Sequence, residues 1–185
     1  MKPVSPPPVK LFAGLLYSDT ACLERAGLIL EKKFGPVDFK SRPFAFDLTD
    51  YYVPEMGKPI IRVFYSFQRL IHPGEISRIK RDTNRMEDKL AVGQNRKVNI
   101  DPGYMDYDKV VLASAKYNGQ KIYLDHGIWA DLTLHYQRGG FQPYPWSFPD
   151  FKTGQYNDVF MKIRALLKHQ RRISDDPETN QTRRA

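Results

Sequence analysis

The chain has 185 residues, 41% of them hydrophobic and 27% charged, which suits one globular domain that folds around its own core. Its one cysteine, Cys22, excludes an internal disulfide and a cysteine-based zinc site. No apolar run approaches the roughly 20 residues of a membrane span, and prolines interrupt the N-terminus where a signal peptide needs its apolar core. We therefore expect a soluble cytoplasmic protein. The net charge of +8 is typical of a phosphate-binding surface or, alternatively, of solvated helix faces.

The first part of the chain predicts a leader, a strand and a helix. Residues 1–9 are rich in proline and predict a flexible, extended leader. The apolar run at 10–17 predicts a buried strand, and Ser18 or Asp19 can cap the next helix by accepting a free amide hydrogen. That helix should end at the Gly-Pro pair at 35–36.

The next segments predict two strands and a second helix. Residues 44–49 alternate as in a half-buried strand, and 60–67 has the composition of a strand. A loop is expected between them, at 53–59. Pro73 suits the first turn of a helix, which Gly93 should end.

The most informative segment runs from Lys97 to Tyr104. As a strand, it places Lys97, Asn99 and Asp101 on one face and two aliphatic side chains on the other. The Pro-Gly pair at 102–103 should force a turn, which would take Tyr104 out of the line of the strand. Since sites favour loops at strand ends, the cation, amide and carboxylate of this segment are candidate site residues.

The second half predicts a series of antiparallel strands. A strand at 110–115 should turn back at Asn118-Gly119, which is the strongest short hairpin signal in the chain. Strands at 121–124 and 128–136 flank a second turn.

A long loop, a final helix and a polar tail complete the chain. The loop at 141–155 is rich in aromatic residues and proline, and it could stack on a base or sugar or strap the final helix onto the sheet. Residues 174–185 predict a disordered tail, which leaves 10–173 as a single domain. The order strand, helix, strand, strand, helix, strand predicts an α+β fold. We expect a mostly antiparallel sheet with a split βαβ, ferredoxin-like core, an added hairpin and a C-terminal helix.

Polar side chains occupy alternate positions in three of these segments: Asp47 and Thr49; Lys97, Asn99 and Asp101; and Asp131, Thr133 and His135. The third set should lie opposite the apolar side chains at 128, 130, 132 and 134. If the three segments are neighbours, their carboxylates would meet a lysine and a histidine and perturb one another's proton affinity, as catalytic groups require. Asp131 and His135 could also bind a metal ion. The alternative is the solvent-facing side of an ordinary antiparallel sheet.

The second helix adds polar groups at three- and four-residue spacing. Lys80, Thr83 and Asn84 could reach a phosphate or a polar substrate, and the alternative is a set of surface salt bridges. The sequence has no P-loop, no dinucleotide-binding glycine motif, no Gly-x-Ser-x-Gly elbow and no His-Glu-x-x-His pair. Motifs therefore assign no reaction.

Five segments spread along the chain form a recognisable set: Lys10–Ser18, Phe46–Tyr52, Lys97–Tyr104, Gly127–Leu134 and Pro145–Phe151. Together they resemble domain-of-unknown-function family 4416, an uncharacterised prokaryotic family known for an Asp-Pro-Gly-Tyr motif. The resemblance covers nearly the whole chain. Since no activity, ligand or catalytic residue is established for that family, it implies no function and no site residue here.

The leading hypothesis is one polar cleft that binds an anionic small molecule, either a nucleotide or another phosphorylated metabolite. Its carboxylates, Asp101 and Asp131, would be catalytic groups or ligands of a magnesium-like ion. Lys97 would hold the anion. The other ligand-binding candidates are Asn99 and Tyr104, which would orient the ligand, and Lys80, Asn84 and Thr133.

Two alternatives belong to other functional classes. An RNA-binding module would use the basic helices and the aromatic loop. A structural or partner-binding protein would dock through the leader or the final helix. Enzyme activity, cofactor and oligomeric state stay open at this point.

Overall fold

Within residues 2–175, which the computed structural model describes, nine strands form one sheet and helices pack on both of its faces. Side chains are described for residues 2–173. The strands are β1 (Val9–Tyr17), β2 (Val37–Lys40), β3 (Phe44–Ala45), β4 (Ile61–Ile71), β5 (Val98–Met105), β6 (Lys109–Ser114), β7 (Ile122–Asp125), β8 (Ile128–Gln137) and β9 (Gly140–Pro143). The helices are α1 (Thr20–Phe34), α2 (Val53–Met56), α3 (Ile76–Leu90), α4 (Pro149–Lys152) and α5 (Asn157–Asp175).

Seven strands lie side by side in the order β2-β4-β1-β5-β6-β8-β7, while β3 pairs with β4 and β9 pairs with β8. Every one of these pairings is antiparallel. The predicted α+β class with a mostly antiparallel sheet is therefore confirmed. The ferredoxin-like description of its core stays a prediction.

The sheet has an apolar core on each face, and β1 contributes to both. Leu11 and Leu15 pack on the first face, which α1 and α3 cover. Phe12 points to the second face, where it packs against Phe160 of α5 with ring centroids 5.4 Å apart. Burial on both faces explains why the β1 sequence is a continuous apolar run and does not alternate.

Helix α1 begins and ends where the sequence predicts. Of the two candidate caps, Asp19 accepts a hydrogen bond from the Ala21 amide at 2.8 Å, whereas the Ser18 hydroxyl donates to the carbonyl of Met56. Gly35 follows the last turn with φ of +94°, a backbone conformation that glycine adopts without steric cost.

The segment between α1 and β4 differs from its prediction. The predicted strand at 44–49 is reduced to the two residues of β3, and the expected loop at 53–59 contains α2. Strand β2, at Val37–Lys40, was not predicted at all. Its four residues pair only with β4, so this edge strand depends on a neighbour and carries little signal of its own.

Helix α3 follows a short 3₁₀ turn at Pro73–Glu75, so Pro73 does begin the helical segment. The His72 ring accepts a hydrogen bond from the Gly74 amide, and the Glu75 carboxylate accepts one from the His72 amide. The helix ends at Leu90, before the predicted stop at Gly93.

The turn predicted at Pro102-Gly103 is wrong, because β5 runs straight through it to Met105. Pro102 lies opposite Ala13 of β1 and one residue before β5 begins to pair with β6. A proline is tolerated there because its missing N–H leaves no partner in a neighbouring strand unsatisfied. Tyr104 therefore stays in the line of the strand, opposite Val111.

The hairpin predicted at Asn118-Gly119 is also wrong. The turn is present, with the Lys121 amide donating to the Asn118 carbonyl at 3.0 Å, but the strands on either side of it do not pair. Strand β8 lies between β6 and β7 and pairs with both. The second predicted turn, at 125–127, does form the β7–β8 hairpin.

The first strand and the last helix extend slightly beyond their predicted bounds. Residues 2–8 are exposed and form no helix or strand, and β1 begins at Val9. Helix α5 continues to Asp175, so the predicted tail starts inside a helix. The rest of that predicted tail, 176–185, lies outside the described residues.

Candidate functional site

The sheet opens between β5 and β6. Strand β5 pairs with β1 along its whole length, but with β6 only at Gly103–Met105. Helix α3 lies beside the part of β5 that does not pair with β6. The Ile100 amide donates to Glu87 Oε1 at 2.7 Å, and the Ile100 carbonyl accepts from Lys80 Nζ at 2.9 Å. Two side chains of α3 thus replace the hydrogen bonds of a missing strand, as buried backbone groups require.

A cavity of about 860 Å³ lies at this opening. Its wall combines β5 and α3 with residues 112–118 and with the start of α4. The volume is within the range of small-molecule sites, roughly 300 to 1,000 Å³.

Five of the eight predicted site residues line this cavity: Lys80, Asn84, Asn99, Asp101 and Asp131. Their roles in binding or catalysis remain predictions. The polar side chains of β5 and β8 thus reach one cavity from strands that are not neighbours, together with Thr49 from the segment after β3.

The other three predicted site residues lie outside the cavity wall. Lys97 precedes β5, and Tyr104 packs against the first core, where burial raises the pKa of its hydroxyl. Thr133 is buried and donates to the Asp131 carbonyl at 3.0 Å. A bulge in β8 explains the position of Thr133. Val110 and Val111 of β6 pair with Leu134 and Leu132, which leaves Thr133 without an opposite residue.

The same bulge corrects the predicted faces of β8. Ile128 packs in the first core, as the alternation implies, but Leu134 packs in the second core with Phe141. The extra residue moves every side chain after it to the opposite face.

Asp101 belongs to a partly buried network on the cavity wall. Asn99 Nδ2 donates to Asp101 Oδ2 at 2.9 Å, and Lys80 Nζ lies 3.5 Å from Asp101 Oδ1. Lys80 is also 4.0 Å from Glu87 Oε1, and only 7% of its side chain is exposed. This lysine is held by two carboxylates and a backbone carbonyl, which fixes its position.

Arg96 extends the network to α2. Its guanidinium pairs with Glu55 at 2.7 Å and with Glu87 at 2.9 Å, and it donates to Asn99 at 3.0 Å. Hydrogen bonds from Arg96 lower the pKa of Glu55. Burial raises the pKa of Glu87, although Lys80 and Arg96 oppose that shift.

Asp131 forms a second buried pair. Its Oδ2 lies 3.3 Å from Lys121 Nζ, and each of the two side chains is 5% exposed. Lys121 also donates to the Ser114 hydroxyl at 2.9 Å. Burial raises the pKa of Asp131, while the charge of Lys121 acts in the opposite direction.

Arg62 also lines the cavity, although the sequence did not predict it as a site residue. Its side chain is 6% exposed, and Nε lies 3.4 Å from Asp150 Oδ2, close enough for an ion pair. In the part of the chain that the structure describes, however, Nε has no hydrogen-bond partner and the guanidinium donates no hydrogen bond. The only sequence signal for Arg62 is a charged residue among apolar ones in the first half of β4.

Of the two predicted roles of the aromatic loop at 141–155, the contacts support the strap, and stacking on a base or sugar stays a prediction. Phe151 packs on Phe160 of α5 at 6.0 Å, and the Trp146 indole donates to the Leu132 carbonyl at 2.9 Å, so the loop straps α5 to the sheet. Phe148 is 47% exposed and lines the cavity.

The predicted metal-binding role of Asp131 and His135 is not supported by a cluster of ligands in the described part of the chain. Among the described residues, no group of three or more histidine, cysteine or acidic side chains could hold a metal ion. The predicted carboxylates Asp101 and Asp131 each lie beside a lysine instead. None of the helices within residues 2–175 is long and apolar enough to cross a membrane.

Fold and cavity together define a class: an α+β protein whose antiparallel sheet opens on one side into a polar, aromatic-edged cavity. The model of the family described as Domain of unknown function (DUF4416) matches residues 7–166, and the chain belongs to this family. No curated protein and no solved structure matches the chain significantly.

Proposed function

We propose that the cavity binds an anionic small molecule, a nucleotide or another phosphorylated metabolite, through the guanidinium of Arg62. The observation that carries the proposal is a buried arginine on the cavity wall that donates no hydrogen bond to the described protein. Guanidinium groups bind carboxylates and phosphates through paired N–H groups, and such charge-assisted hydrogen bonds are strong in a desolvated site.

Three other cations of the wall are already engaged. Lys80, Arg96 and Lys121 each lie within 3.5 Å of a carboxylate and donate at least one hydrogen bond. Arg62 is balanced in charge by Asp150 but keeps its donors available. The anion contact that the sequence suggested for Lys97 is therefore proposed for Arg62 instead.

Three of the predicted residues on the cavity wall are also expected to contact the ligand. Asn84, Asn99 and Asp101 would contact polar groups of the ligand, because their side chains line the cavity around this partly buried network. The proposal concerns binding, and no reaction step is assigned to Asp101 or Asp131.

The RNA-binding alternative has no comparable support. Arg164 stacks on Tyr136 at 3.7 Å and donates to the Tyr107 carbonyl, and Arg171 stacks on Tyr107 at 4.4 Å. Basic side chains of α5 are thus engaged in packing, and Phe151 of the aromatic loop is buried.

Calorimetric titration tests the proposal with charged and uncharged partners: adenosine 5′-monophosphate against adenosine, and ribose 5-phosphate against ribose. We expect each phosphate to bind more tightly than its uncharged counterpart, and Arg62→Met to weaken phosphate binding by at least about tenfold, since hydrogen bonds to charged groups are lost. Asp150→Asn should tighten it, because the competing negative charge is removed.

Arg164→Met is the matched control, since it removes an aromatic-stacked arginine outside the cavity. It should leave phosphate binding unchanged. Equal affinity for charged and uncharged partners, or equal loss in both arginine variants, would contradict the proposal. If Arg62→Met does not fold, Asp150→Asn tests the same electrostatics with the arginine in place.

A further inference from the structure

We propose that the ligand carries a planar aromatic ring beside its anionic group, which makes it a nucleoside phosphate rather than a sugar phosphate. This inference rests on the proposed function, because it assumes that Arg62 holds the anion. It decides between the two ligand classes that the anion contact by itself leaves open.

One wall of the cavity is aromatic from its mouth to Arg62. The rings of Tyr51 and Tyr52 are 4.9 Å apart, those of Tyr52 and Phe46 are 6.0 Å apart, and Arg62 Cζ lies 4.8 Å from the Phe46 ring. All four side chains line the cavity. Tyr51 is 61% exposed and Phe46 is buried, so this series of rings leads from solvent to the guanidinium.

Further aromatic side chains lie at the exposed part of the cavity. Tyr117 and Phe148 both line it, and both remain largely exposed. Large apolar side chains that stay exposed together around a cavity are typical of ligand sites, because their burial is completed by the ligand. A phosphate group alone would leave these rings uncovered and most of the 860 Å³ unfilled.

The polar part of the wall suits the edge of a heteroaromatic ring. Asn84 lines the cavity and its side-chain amide makes no hydrogen bond to the described protein, so that amide can both donate and accept. Asn99 and Asp101 lie on the neighbouring strand and are held in place by Arg96 and Lys80. Flat faces beside fixed donors and acceptors match a ring with nitrogen and oxygen on its edge better than they match a sugar.

The test compares four nucleoside 5′-monophosphates (adenosine, guanosine, cytidine and uridine) with ribose 5-phosphate, in calorimetric titrations of the full chain. At least one nucleotide should bind about tenfold more tightly than ribose 5-phosphate, since stacking of one base on aromatic side chains contributes that much. Tyr51→Leu should reduce this advantage several-fold and leave ribose 5-phosphate binding unchanged.

Tyr123→Leu is the matched control, because Tyr123 is a comparably exposed tyrosine on β7 that does not line the cavity. Phe148→Leu repeats the test from the other side of the mouth if Tyr51→Leu does not fold. Ribose 5-phosphate binding as tightly as all four nucleotides would overturn the inference and leave the anion site intact. Failure of every phosphate to bind would instead overturn the proposed function.

Discussion

Gly103 of β5 lies in tight contact with both neighbouring strands, β1 and β6. A Cβ atom there would be 2.6 Å from the Val111 carbonyl oxygen and 2.6 Å from Cζ of Phe12. The first of these atoms is backbone and the second belongs to a fully buried ring, so neither can easily move away. Glycine is needed at this position for close packing, just before the point where the sheet opens.

Gly103→Ala should destabilise the protein by about 2 to 3 kcal/mol, the cost of overpacking a rigid core. Urea unfolding followed by circular dichroism measures this. Gly119→Ala is the control, because a Cβ at Gly119 meets nothing within 4 Å, and it should change stability by less than about 0.5 kcal/mol. Equal stability of the two variants would show that the β1–β5–β6 contact is not tight.

At the scale of the element, α3 is more than a cover for the first core. Its apolar side chains Ile79 and Met86 pack in the first core. Lys80 and Glu87 form hydrogen bonds with the Ile100 backbone, at the edge of β5 that β6 leaves unpaired. The helix therefore supplies hydrogen-bond partners to the unpaired edge of β5 and also forms one wall of the cavity. The position of Asn99 and Asp101 depends on this contact.

The buried carboxylate of Glu87 should make stability depend on pH. Burial raises its pKa in the folded protein above the ordinary 4.5, so the folded state binds the proton more tightly than the unfolded state. Its contribution is thus most favourable below pH 4.5 and is lost as the pH rises through the folded-state pKa. Glu87→Gln removes this titration, so the stability of the wild type relative to the variant should fall from pH 4 to pH 7.

Chemical unfolding at several pH values measures that difference. Asp88→Asn, an exposed acidic position on the same helix, controls for the loss of a charge. A wild-type advantage over Glu87→Gln that grows with pH would show that pairing with Lys80 and Arg96 outweighs desolvation.

At the scale of the whole molecule, α5 closes the second core. Phe160 is fully buried and contacts rings from β1, β4, β9 and α4: Phe12, Phe64, Phe141 and Phe151. These contacts join the first and second halves of the chain around one side chain. They also support Phe64 and Phe151, which pack on the Arg62 guanidinium at 5.8 Å and 5.7 Å.

Phe160→Ala should cost about 3 to 5 kcal/mol, the usual loss for a buried phenylalanine whose cavity cannot collapse. Leu28→Ala is the control, since Leu28 is 69% exposed on α1 and should cost little. Thermal and urea unfolding both report the difference. A small loss for Phe160→Ala would mean that α5 is docked by other contacts.

Most helices and strands were predicted correctly because the features that define them lie close together in the sequence. The Asp19 cap, the apolar run of β1 and the β7–β8 turn each depend on residues close in sequence. The predictions of a turn at Pro102-Gly103 and of a hairpin at Asn118-Gly119 were wrong. A turn motif indicates which backbone conformations are tolerated, but strand pairing determines which structure forms. The candidate site was predicted in part, since alternation identified Asn99, Asp101 and Asp131 but could not indicate the Thr133 bulge.

The residue pattern alone was enough for the α+β class, the family and five of the polar residues that line the cavity, because hydrophobic periodicity and residue chemistry are written along the chain. Only the tertiary structure decided that β8 lies between β6 and β7, that the sheet opens beside α3, and that Arg62 is buried with its donors available. Pairing partners and desolvation arise from contacts between residues distant in sequence, so no local pattern encodes them.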